Sequence, residues 1–260
     1  MKKYLFFLLA FTLICVSCTT NSSEEFGTMT NKQSVSSYEF MMPIAKQHSA
    51  GLDYVYSQLS QKATRSSLTF NKQKVKELAP SIILKFVSDN SVLIDKSKEI
   101  PNITPNLTRS NDNVTDTLSY QAMEIYKAFT AKFLSSKSLD EMEEHAKKAL
   151  NPDSIAPFSE HDKIMLSCVI CVTLDSYSYW MNPDNYNKWK DLINGQEATT
   201  YTRGVAGPPA RYWCDAKYMP EVGRIATQDG IGCLSSLTLA GVNPCAWVAN
   251  GVLGSVLSLW

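Results

Sequence analysis

No sign of charge predominates in this chain. Among 260 residues, 25 Lys and Arg stand against 25 Asp and Glu. No Lys/Arg stripe occurs either, so the electrostatic footprint that a nucleic-acid partner requires is missing. Period-two alternation of apolar residues is scarce, which argues against half-buried strands as the main element. Only three histidines are present, His48, His145 and His161, far apart in the chain. Gly-x-Ser-x-Gly, His-Glu-x-x-His, the P-loop and the dinucleotide fingerprint are all absent. Catalysis therefore has no local motif behind it, and no cofactor is expected. Composition also excludes wholesale disorder, collagen and coiled coil: 44% of residues are apolar, 19% charged and 10% aromatic, enough for a sizeable core.

What is present begins with an address. Met1-Lys2-Lys3 precedes an apolar run, Tyr4–Val16, and then the small Ser17. A positive start, a short greasy stretch and a small residue make a secretory signal over residues 1–17. The run is shorter than the ~20 residues a membrane-spanning helix needs. Its removal takes Lys2 and Lys3 and leaves 23 basic against 25 acidic residues, a net of −2. Residues 18–37, rich in Thr, Ser, Asn and Glu, read as a flexible tether.

Val16-Ser17-Cys18 resembles the end of a bacterial lipoprotein signal, the lipobox, although Cys15 stands where that family usually has Leu. The resemblance implies cleavage before Cys18, acylation of that residue and export. The partner it implies is the membrane, reached through the lipid. More than one acyl chain gives stable anchoring. The chain is similar in outline to lipoproteins of Bacteroidota-type bacteria, which implies an outer-membrane location. Glu24 and Glu25 loosely match the acidic surface-export cue of that group.

The body, 38–196, reads as helices. Ile44, His48, Leu52, Val55 and Leu59 follow steps of 4, 4, 3 and 4, with Pro43 expected in the first turn. Asn71 is a candidate cap for a second helix carrying Val75, Leu78, Ile82 and Phe86, and Pro80 predicts a kink or restart in it. Residues 97–115 read as a long loop. Leu118, Ala122, Ile125, Phe129 and Phe133 mark a third helix. Ser138 with Glu141 forms a capping box for a fourth, and Ser159 opens a fifth whose face runs Ile164, Cys168, Cys171 and Asp175. Trp189 and Leu192 mark a short helix after Pro183. Residues 197–219 read as a linker. From Gly230 to Trp260 there is no charged residue; two small-residue-rich helices, 220–239 and 244–259, would meet across Asn243-Pro244. The fold class expected is all-α, an irregular helical bundle ending in an apolar helical hairpin over 220–260.

Several constellations compete for a function. Seven cysteines occur, and an exported chain meets an oxidising compartment that permits disulfides. Cys233 with Cys245 would staple the hairpin across its turn. A metal or redox reading would draw on His161, Cys168, Cys171 and Asp175, spaced along one helix. A zinc site wants ligands from converging elements, so the plainer reading is two small buried side chains in a core helix. His48 with Asp53, or His161 with Asp162, could serve acid–base work. Tyr179, Trp180, Tyr186 and Trp189 sit among amides and could stack on a sugar or a partner peptide, or else fill the core. Gly251, Gly254 and Ser258, with Ala249, allow close helix approach. The hairpin resembles the glycine-zipper tails of bacteriocin-like, membrane-active proteins. Three readings follow: a lipid-anchored envelope protein that binds a protein or glycan or serves as structure, a membrane-active effector, or a hydrolase.

Overall fold

The computed structural model describes residues 34–66, 72–100, 118–136, 138–194, 219–240 and 243–258. The signal with Cys18, most of the tether, most of the 97–115 loop, and the linker apart from Met219 lie outside the described residues. Ten α-helices pack together, and no strand occurs among the described residues. In chain order they are α1 (Tyr38–Ser66), α2 (Lys72–Ser88), α3 (Ser91–Glu99), α4 (Tyr120–Thr130), α5 (Leu139–Ala149), α6 (Pro152–Ile155), α7 (Glu160–Met181), α8 (Pro183–Asn194), α9 (Met219–Ala240) and α10 (Pro244–Ser258). The protein is an all-α bundle.

Polar caps fix where several helices begin. The Ser138 hydroxyl accepts the Glu141 N–H at 3.1 Å and Ser159 accepts the Asp162 N–H at 3.1 Å, each removing one orphan donor of a first turn. Helix α1 starts five residues ahead of Pro43, because Ser37 accepts the Phe40 N–H at 3.1 Å. Pro43 thus lies in the second turn instead of the first. Helix α2 continues through Pro80 as one element. Helix α3 was not anticipated: Asn90 caps it by accepting from Leu93 N at 3.1 Å, and the helix occupies the start of the expected loop. Helix α4, expected to run on to Phe133, stops at Thr130 and tightens into a 3₁₀ turn, Ala131–Leu134.

Helix α7 is the axis. Every residue from Ile164 to Tyr177 is buried, and the helix touches α1, α4, α5, α8, α9 and α10. It is also the one described helix long and apolar enough to cross a membrane, yet 89% of that apolar window is covered by its neighbours. A helix apolar on all sides is what a central position demands. The apolar stripe of α1 lies against it: Ile44, Leu52, Val55 and Leu59 are all buried.

Helices α9 and α10 form the expected hairpin, and it is part of the common core. The pair packs on α7, α1, α2 and α3, and Val222, Ile225, Trp247, Val248, Val252 and Val256 are all buried. Small residues set the approach distance. A Cβ on Gly230 would lie 2.1 Å from Thr173 Oγ1 on α7, and one on Gly51 would lie 2.7 Å from Val252 Cγ2 on α10. Interior packing leaves no room for either atom.

Candidate functional site

The main polar cluster of the core sits where α1, α7, α9 and α10 meet. Its centre is His48, fully buried on the inner face of α1. Helix α7 brings Asp175 to one ring nitrogen, with Nδ1 3.4 Å from Oδ2. Helix α9 brings Asp229 to the other, with Nε2 3.4 Å from Oδ2. Helix α10 adds Ser255, whose Oγ lies 3.3 Å from Nε2.

Each carboxylate is held by further donors. Asp175 Oδ2 accepts from the Ser49 N–H at 3.0 Å and from the Ser49 hydroxyl at 2.6 Å. Asp229 Oδ2 accepts from the hydroxyls of Ser176 and Ser255. Trp180 Nε1–H donates to Ser255 Oγ at 3.1 Å. Asp229 Oδ1, equally buried, has no hydrogen-bond partner among the described residues.

Burial alone would drive the imidazole toward its neutral form. Hydrogen bonds to Asp175 and Asp229, and their charges, outweigh that and raise His48 from 6.5 to about 10. Burial raises the Asp229 carboxyl above its ordinary value, opposed by His48, Ser176 and Ser255. At neutral pH the centre is therefore an imidazolium clasped between two acidic groups.

The contacts Ser255–His48–Asp175 follow the order of an acyl-transfer triad, but the chemistry is different. A triad histidine must be neutral to take the serine proton. Here Asp175 and Asp229 together keep the ring charged, and the Ser255 hydroxyl donates its hydrogen bond to Asp229. Ser255 and His48 are both wholly enclosed, so no substrate reaches them. What the arrangement does is join four helices through charge-assisted hydrogen bonds.

The other expected residues fall elsewhere. Asp53 turns away from His48 and takes Lys188 Nζ at 2.7 Å and the Tyr179 hydroxyl at 2.9 Å. Asp162 accepts the Ser119 N–H at 2.9 Å besides its part in the cap. His145 is a surface neighbour of Glu141, at 3.8 Å. His161 and Asp175 are fourteen residues apart on α7, roughly 21 Å at helical rise, so they cannot share an ion with Cys168 and Cys171. No cluster of metal-ligating side chains forms among the described residues.

The stacking candidates are core. Tyr179, Trp180, Tyr186 and Trp189 are all buried. Tyr179 packs edge-on to Trp180 with centroids 5.0 Å apart, Trp180 lies 6.1 Å from Trp189, and Trp189 Nε1–H donates to the Tyr179 hydroxyl at 3.1 Å. Tyr179, Trp180 and Trp189 thus pack on one another, Lys190 Nζ lies 4.4 Å over the Tyr186 ring, and burial of all four leaves no open platform for a sugar.

Cys233 and Cys245 stand as buried thiols, so the hairpin carries no staple in this structure. Cys233 donates to the Trp247 carbonyl at 3.2 Å, and its sulfur lies 3.1 Å from where a Gly251 Cβ would sit. That places it beside the Trp247–Gly251 turn of α10, beyond Cys245. A surface concavity of about 270 Å³ is separate from all of this and is bordered by Ser34, Tyr38, Glu39, Lys147, Asn151 and Lys163.

Asp229, Ser49, Ser176 and Ser255 were not singled out from sequence. Asp229 did leave a trace, as the last charge before the uncharged run. No family model matches this chain, and no curated protein or solved structure does.

Proposed function

We propose that this chain is an exported, lipid-anchored protein of the bacterial cell envelope, placed at the outer membrane, that works by binding a protein or glycan partner or as structure and not by catalysis. One observation carries the reading: the two features with most claim to activity, the uncharged tail and His48, are consumed by each other in the core. What is left to act is the outer surface and the tether. The lipobox-like Val16-Ser17-Cys18 supports the anchor.

Replacing Cys18 with Ala tests the anchor. The expected result is loss of acyl label and of membrane association; acyl-labelled protein surviving the change would overturn it.

A second reading, a membrane-active effector, draws on the absence of charge from Gly230 to Trp260. Against it, α10 has 15 residues, about 22 Å of helix, where a bilayer core is about 30 Å thick. Dye release from liposomes separates the two. The binding reading expects none from chain beginning after Cys18. Release that disappears when the chain ends at Met219 would put the effector in its place.

A further inference from the structure

Two buried thiols meet where α7 packs on α9. The helices run antiparallel there. Ser176 bonds Asp229, and the next residue of α9, Gly230, faces Thr173 and Val169; a Cβ on it would lie 2.9 Å from Val169 Cγ2. One turn further along α9, and one turn back along α7, Cys233 comes level with Cys168. The Cys168 and Cys233 side chains act on each other there. Gly230 lets the two helices approach closely just before this level, and a disulfide requires such close approach.

We propose that Cys168 and Cys233 form a disulfide when the chain folds in an oxidising envelope, tying the apolar hairpin to the central helix. The proposal rests on the reading that the chain is exported. The oxidant is a disulfide-bearing thiol oxidoreductase, or a small-molecule disulfide such as oxidised glutathione. One cysteine thiolate attacks the oxidant's S–S bond, forming a mixed disulfide and expelling one thiolate. The second cysteine thiolate attacks the mixed disulfide and expels the other. One S–S bond forms as one breaks, two electrons pass to the oxidant, and the two thiol protons end on its two sulfurs.

The exchange belongs to folding, before α7 and α9 close. In the folded chain Cys168 is 2% and Cys233 0% exposed. Burial, with Cys233 adding to it, also holds the Cys168 thiol well above its ordinary value and so removes the reactive thiolate. Once formed, the bond is equally out of reach of reductants.

The test uses the full chain with its own leader, expressed in a bacterial host. It is extracted in detergent, alkylated with N-ethylmaleimide, digested without reduction and mapped by mass spectrometry. The acyl mass on Cys18 is read in the same sample. A second portion is unfolded, reduced and refolded in a glutathione redox buffer. Where Cys18 is acylated the cellular sample decides, and where it is not the refolded sample decides, so a failure of export is seen apart from a failure of the bridge. The expected result is a Cys168–Cys233 linked peptide in most molecules, kept in Cys245→Ser and Cys171→Ser and lost in Cys168→Ser. Alkylated Cys168 and Cys233 in the deciding sample, or Cys233 linked to Cys245, would overturn the proposal.

Discussion

Replacing His48 with Gln removes the single positive charge that the cluster encloses. Gln has comparable length and can still hydrogen-bond, so cavity formation contributes little. What changes is that Asp175 and Asp229 lose their shared counter-ion in a site where His48 and Asp229 have no exposed surface. Breaking a buried ion pair from one side costs about 3–5 kcal/mol, a large part of the roughly 5–15 kcal/mol that holds a domain together. With a urea slope of about 2 kcal/mol/M, the midpoint falls by about 2 M. The double variant His48→Gln/Asp229→Asn removes a negative charge as well and recovers about 1–3 kcal/mol of coupling.

The same variant carries a pH signature. The folded-state value of His48 is raised from 6.5 to about 10. The stability it contributes is therefore complete below pH 6.5 and is lost as pH rises through about 10, by up to ~1.4 kcal/mol per pH unit within that window. The raised carboxyl of Asp229 has the same sign at lower pH: its share is complete below its unfolded value and falls as pH climbs. Urea melts at pH 6.5, 8 and 9.5 should show a declining midpoint in the natural chain and a flatter profile in His48→Gln. A midpoint drop below about 0.5 M, or an unchanged pH slope in the variant, would refute the clasp.

Other substitutions probe neighbouring parts. Gly230→Ala forces a methyl against Thr173, Tyr126 and Val169 and should cost about 1–3 kcal/mol in thermal or urea unfolding; a neutral result would mean α7 and α9 are not so close. Tyr179→Phe leaves Trp189 Nε1–H and Asp53 without the hydroxyl between them and should cost about 1–3 kcal/mol. Asp53→Ala, at an exposed ion pair with Lys188, should fall under about 1 kcal/mol for the salt bridge; a loss as large as that of His48→Gln would point to Asp53 as a partner of the histidine after all.

The sequence made the helices legible where one face was apolar and the other polar. The stripe through Ile44, His48 and Leu52 is such a case, and so are the Ser138 and Ser159 caps, because both signals are local. Helix α3 was missed because its capping Asn90 opens a short, mostly polar segment with one fully buried position, Leu93. The hairpin was visible as a hairpin, but a helix apolar all round suits a core and a bilayer alike. Its partners had to come from α1 and α7. The histidine cluster was legible at His48 and Asp175, but not as a pair. Asp175 is 127 positions from His48, and Ser255 is 207, and no spacing rule reaches that far. The aromatic set was visible as a set, but which way its rings face depends on Tyr56 of α1 and Ser255 of α10, again distant in the chain.

The uncharged hairpin is core, held by His48 between two carboxylates. Amide hydrogen exchange over residues 222–256, with and without anionic lipid vesicles, addresses it directly. These amides are expected to be among the slowest in the protein, to exchange only with global unfolding, and to be unchanged by vesicles. Fast exchange in the hairpin alone, or protection there that shifts on adding vesicles while α7 stays as it was, would contradict it.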